Sequence, residues 1–178
     1  KARYDNYKHQ PLNYTFPADF SGIRPQPDLS KPRPKAAVLR EKGSNSEREM
    51  AHAMYLAGFD VKDVHMTDLI SGRETLEDIQ FLGAVGGFSN SDVLGSAKGL
   101  AGAFLYNEKA KQALDNFFSR DDVLSVGICN GCQLFLELDL INPAHSVSAR
   151  MHHKESYKHE SAFTSVSIPE NNSVMLSS

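Results

Sequence analysis

The sequence contains no tryptophan and only two cysteines, Cys129 and Cys132, among 178 residues. With no third cysteine those two could bridge only each other, which excludes a disulfide-stapled secreted scaffold. No apolar run approaches the roughly 20 residues that span a bilayer, and the opening KARYDNYKHQ lacks the apolar centre of a signal peptide. An excess of one charge is lacking too: 19 basic against 22 acidic residues leave a net charge of −3, so no positive field draws the chain to phosphate backbones or anionic lipid. A cytoplasmic protein without nucleic-acid or membrane partners is expected. What the chain does have is 40% hydrophobic and 23% charged residues, enough for a folded core, over a length of about one domain plus a tail.

Six of the eight prolines fall within residues 1–34, so this stretch reads as an extended connector, and the domain proper is expected over residues 35–178. Ala36-Ala37-Val38-Leu39 has the length of a buried parallel strand. Ser46 to Glu49 fits a capping box, after which Met50, Ala53, Met54 and Ala57 recur at helical spacing up to a stop at Gly58. Further strands are predicted at residues 60–66, 81–85 and 123–126, with helices at 99–106 and 109–118 and another helix through Leu134 to Leu138. The order β-α-β-β-α-β, then a helix, argues a doubly wound, mostly parallel sheet with flanking helices, whose ligands bind beyond the carboxyl ends of the strands. That places loops 40–46, 86–92 and 127–133 together. Residues 142–160 are polar and histidine-containing, and 162–168 read as a strand again.

The sharpest signal is Gly127-Ile128-Cys129-Asn130-Gly131-Cys132-Gln133 between a predicted strand and an apolar helix. Glycine, any residue, nucleophile, any residue, glycine at such a junction is the elbow pattern, in which the glycines allow a sharp turn that projects the nucleophile. Cys129 stands at the tip, where a helix N-terminus offers partial positive charge and free N–H groups to a thiolate. The N–H of Asn130 is then one donor for an oxyanion. Gly86-Gly87-Phe88-Ser89 at the end of another strand supplies exposed backbone N–H groups that would complete the hole. Against this stand a thioredoxin-like pair and a zinc site of Cys129, Cys132, His152 and His153, though adjacent histidines are poor partners for one tetrahedral ion. Cys132, one turn into the helix, reads as packing.

Taken in order, LREKGSNSEREMAHAMYLAGFDVKDVHMTDLISG, GGFSNSDVLGSAKG, FLYNEKAK and GICNGCQ resemble the class I (triad) glutamine amidotransferase domain at the carboxyl end of the long, single-chain phosphoribosylformylglycinamidine synthases. The resemblance spans residues 35–168. It implies a flavodoxin-like α/β fold in which Cys129 attacks the side-chain amide of glutamine, Gly87 and Asn130 form the oxyanion hole, and Gln133, Phe88 and Ser89 contact substrate. No cofactor is implied for this domain; ATP and magnesium belong to the synthetase portion of the same polypeptide, the implied partner that receives the ammonia. One departure stands out. The triad's histidine and glutamate lie in the family's His-Pro-Glu block, and none occurs before Ser178, so the domain reads as incomplete at its C-terminus, with the base expected beyond Ser178 and the isolated chain nearly inactive. His9, His52, His65, His145, His152, His153 and His159 read as core or solvated histidines, and Leu100 replaces a tryptophan common in the family. The alternatives are a cysteine hydrolase or redox protein of similar fold, or a catalytically incomplete interaction fragment.

Overall fold

Alternation along the first strand explains the layering. The computed structural model describes residues 15–16, 18–23, 26–28, 30–141, 145–161 and 166–176. In β1 (Lys35–Arg40) the residues Ala36 to Leu39 are buried on both faces. Ala37 and Leu39 join a core with Val64, Leu82 and Ala84, whereas Ala36 and Val38 join a second core with Met54 and Val85. Period-two alternation of apolar residues on a two-sided strand is what a central parallel strand requires.

β1 pairs in parallel with β3 (Asp60–His65) on one side and β4 (Phe81–Ala84) on the other, and β4 pairs in parallel with β6 (Leu124–Gly127). The order β3-β1-β4-β6 makes the gap between β1 and β4 the switch point, where ligands of open α/β sheets bind. The loops leaving those two strands meet there. β2 (Ser44–Asn45) and β5 (Gly86–Gly87) form a short antiparallel ribbon, and Phe88 and Asn90 add N–H bonds to the carbonyls of Gly43 (2.8 Å) and Lys42 (2.9 Å).

One face of the sheet carries α2 (Met66–Ser71), α3 (Lys98–Leu105), α4 (Glu108–Phe118) and α5 (Asn130–Glu137), which contribute Leu69, Phe104, Phe117 and Leu134 to the larger core. The smaller core lies under α1 (Glu47–Ala57). Arg33 caps the C-terminal end of α1, donating to the carbonyls of Gly58 (3.2 Å) and Tyr55 while its guanidinium lies over the Tyr55 ring. Among the described residues, no helix is long and apolar enough to cross a membrane.

Several expectations are corrected. The capping box at Ser46 is not formed: Ser46 lies in the left-handed region (φ 73°), turned there as the chain leaves the β2–β5 ribbon, and its side chain makes no cap bond. The box that exists is at α2, where Asp68 accepts from the His65 N–H (3.0 Å) and His65 Nδ1 accepts from the Thr67 N–H (3.2 Å). That turn ends β3 at His65, so Met66 begins a helix the alternating pattern concealed. Of the strand predicted at 162–168, residues 162–165 lie outside the described residues, and 166–168 form no regular element.

The chain forms two compact units, one of residues Pro25–His152, which contains all of these elements, and one of the segments Lys1–Arg24 and His153–Ser178. In the second unit the rings of Phe16 and Phe20 stack at 5.0 Å, as do those of His153 and Tyr157 at 6.0 Å.

Candidate active site

β6 ends at Gly127, the Ile128 N–H bonds the Ala84 carbonyl (3.0 Å), and α5 starts at Asn130, which leaves Cys129 alone at the corner. Its backbone, φ 54° and ψ −107°, lies outside the regions L residues favour, a conformation that costs about 1–3 kcal/mol and persists only where its surroundings enforce it. The flanking glycines show how. A Cβ on Gly127 would stand 2.6 Å from the Gly131 carbonyl oxygen and 2.8 Å from the Cys132 nitrogen. A Cβ on Gly131 would fall on the Ala84 carbonyl, 2.5 Å from its carbon. Strand and helix thus approach more closely than any side chain allows, and the turn between them has no relaxed alternative.

The thiol that results is exposed and forms no disulfide, while Cys132 is half-buried. As the first amide of α5, the Asn130 N–H has no acceptor within its own helix. Beyond the neighbouring strand β4, Gly86 and Gly87 line the same cavity of about 640 Å³ as Cys129. A Cβ on Gly86 would press on Cys129 Cβ at 3.3 Å, and Gly87 holds φ +96° with the Asn45 backbone nitrogen 2.6 Å from where its Cβ would stand, so Gly87 has no room for a side chain. The arrangement can present a nucleophile to a carbonyl carbon with backbone N–H groups near the carbonyl oxygen.

Phe88, Ser89, Asn130 and Gln133 do not line the cavity. The Phe88 side chain is 69% exposed. Ser89 is buried at 1% exposure, and its hydroxyl donates to Asn130 Oδ1 (2.7 Å). Asn130, itself 3% exposed, donates from Nδ2 to Gln133 Oε1 (3.0 Å). Asn45 and Ser46 line the cavity beside Cys129; neither is among the predicted site residues, although loop 40–46, which carries them, is expected there. Among the described residues no histidine ring hydrogen-bonds the Cys129 thiol: His65 is engaged by Thr67 and Glu41, and His145 by Val147. Nor, among them, does any group of three or more His, Cys, Asp and Glu side chains stand where it could hold a metal ion.

A model of the CobB/CobQ-like glutamine amidotransferase domain matches residues 33–178. The chain belongs to that family. A solved structure of PurLQS from Thermotoga maritima is similar to this amidotransferase domain at 29% sequence identity and a TM-score of 0.49, over 60% of this chain and 44% of the other. The elbow and the diglycine loop are therefore features of a glutamine amidotransferase domain, and the sheet that carries them is the mostly parallel, helix-flanked one the sequence predicts.

Proposed function

We propose that this domain is the glutaminase of a phosphoribosylformylglycinamidine synthase and that Cys129 is its nucleophile. The observation that carries the reading is the backbone of Cys129, held at φ 54° and ψ −107° by two glycines with no room for a side chain. The thiolate adds to the side-chain amide carbon of glutamine, and the carbonyl electron pair moves to oxygen, where the N–H groups of Asn130 and Gly87 receive it. Collapse breaks the carbon–nitrogen bond. The nitrogen takes up a proton and leaves as ammonia, and the γ-glutamyl thioester reacts with water to give glutamate and the free thiol. The ammonia passes to the synthetase portion, which consumes ATP with magnesium in converting formylglycinamide ribonucleotide to its amidine.

Sequence blocks from three loops support the assignment, because the GSN, GGFS and CNGCQ segments that resemble this synthase are the ones that converge at the switch point. The test is Cys129→Ala in the enzyme joined to its synthetase portion. Glutamine-dependent synthesis is expected to disappear while ammonia-dependent synthesis continues, since only the release of ammonia uses the thiolate. Continued use of glutamine by the variant would remove Cys129 from the mechanism.

A further inference from the structure

The bond between Ser89 and Asn130 ties together two loops 41 residues apart in sequence, and its polarity can be read without ambiguity. The Ser89 backbone N–H points at the same Asn130 atom as its hydroxyl, at 3.3 Å. A backbone amide can only donate, so that atom is Oδ1, which leaves Nδ2 as the donor to Gln133 and Oε1 as the accepting atom of Gln133. The three side chains form a relay of fixed direction. Ser89, at 1% exposure, is closed off from any ligand. It sits two residues after Gly87, and Asn130 directly follows Cys129.

We propose that Ser89, acting through the Asn130 side chain, is a positioning residue that sets the Gly87 loop against the N-terminus of α5, and so fixes the distance between the two oxyanion donors. This rests on the glutaminase reading and replaces substrate contact as the role of Ser89. Oxyanion donors act only within a few tenths of an ångström of the developing charge, and the two N–H groups are held by separate elements, Gly87 by the β2–β5 ribbon and Asn130 by the β6–α5 elbow. The relay supplies one short, buried and directional bond between them.

The experiment is saturable alkylation of the 178-residue chain by a chloromethyl ketone analogue of glutamine, in which the thiolate of Cys129 displaces chloride while the ketone oxygen occupies the oxyanion position. Alkylation by iodoacetamide is run in parallel. In Ser89→Ala, kinact is expected to fall about ten-fold with KI and the iodoacetamide rate within two-fold of wild type, and Ser89→Thr, which keeps the hydroxyl, is expected to recover most of the loss. A raised KI with unchanged kinact would return Ser89 to substrate contact, and equal losses for both reagents with a lower unfolding midpoint would make its role merely structural; either overturns the proposal. If Ser89→Ala does not fold, the near-isosteric Ser89→Cys, whose buried S–H is a much weaker donor to Asn130 Oδ1, is expected to lower kinact in the same way, and an unchanged kinact there would also overturn it. Wild type that reacts with iodoacetamide but not with the analogue would instead refute the glutaminase reading, and the positioning role with it.

Discussion

Substituting Gly131 by alanine separates the elbow from ordinary helix energetics, because the two predict opposite signs. Gly131 is the second residue of α5, and alanine is the better helix former there by at most about 1 kcal/mol. The new Cβ, however, would stand 2.5 Å from the Ala84 carbonyl carbon and 2.9 Å from its Cβ, where ordinary contact begins at 3.4 Å. Most of the opposing atoms are backbone of a central strand, so no rotamer change relieves the overlap, and α5 must move by about 1 Å. Overpacking of this kind costs about 1–3 kcal/mol, and the rigid partner puts it near the upper end, for a net loss of about 2 kcal/mol. With a urea slope of about 1–3 kcal/mol per molar, the unfolding midpoint should drop by about 1 M. Gly99 is the matched control. It is the second residue of α3, and a Cβ there would meet only Asn90 Cβ at 3.8 Å, so Gly99→Ala is expected to leave the midpoint unchanged or raise it. A Gly131→Ala chain as stable as its Gly99→Ala counterpart would refute the claim that close strand–helix contact forces the turn at Cys129.

Two further outcomes follow. Lys35 and Lys62 bond the Asp78 carboxylate at 2.6 and 3.1 Å and hold its pKa below the usual carboxylate range. A depressed folded-state pKa contributes stability above the unfolded value of about 3.9 that is lost as pH falls through the lower, folded one, so wild type should lose up to about 1 kcal/mol more than Asp78→Asn between about pH 5 and 2, read by urea unfolding. Release of glutamate by the 178-residue chain is expected to be very slow, since no described histidine bonds the Cys129 thiol to shuttle its proton. Robust turnover that depends on Cys129 would place a base within the chain, with His152 and His153 the first to test.

What was legible in the sequence is what short stretches determine by themselves. The short apolar run Ala36 to Leu39 located the central strand, and two glycines around Cys129 between apolar segments located the elbow, because strand, turn and helix are contiguous there. The features missed depend on distant partners. Ser46 followed by Glu49 has the composition of a cap, yet pairing of Ser44 with Gly87, far along the chain, twists Ser46 out of the capping conformation. The burial of Ser89 against Asn130 depends on the approach of α5, 41 residues on, which nothing in the GGFS segment itself encodes. The short helix at Met66 was hidden because His65 and Asp68 build its cap from residues that also fit an alternating strand.

The most direct test of the central claim is mass spectrometry of the chain after limiting reaction with the chloromethyl ketone analogue, with and without excess glutamine. One adduct is predicted, on the peptide carrying Cys129 and assigned to that thiol rather than to half-buried Cys132, and glutamine should suppress it. An adduct on Cys132, or labelling of Cys129 that glutamine leaves unchanged, would contradict the account.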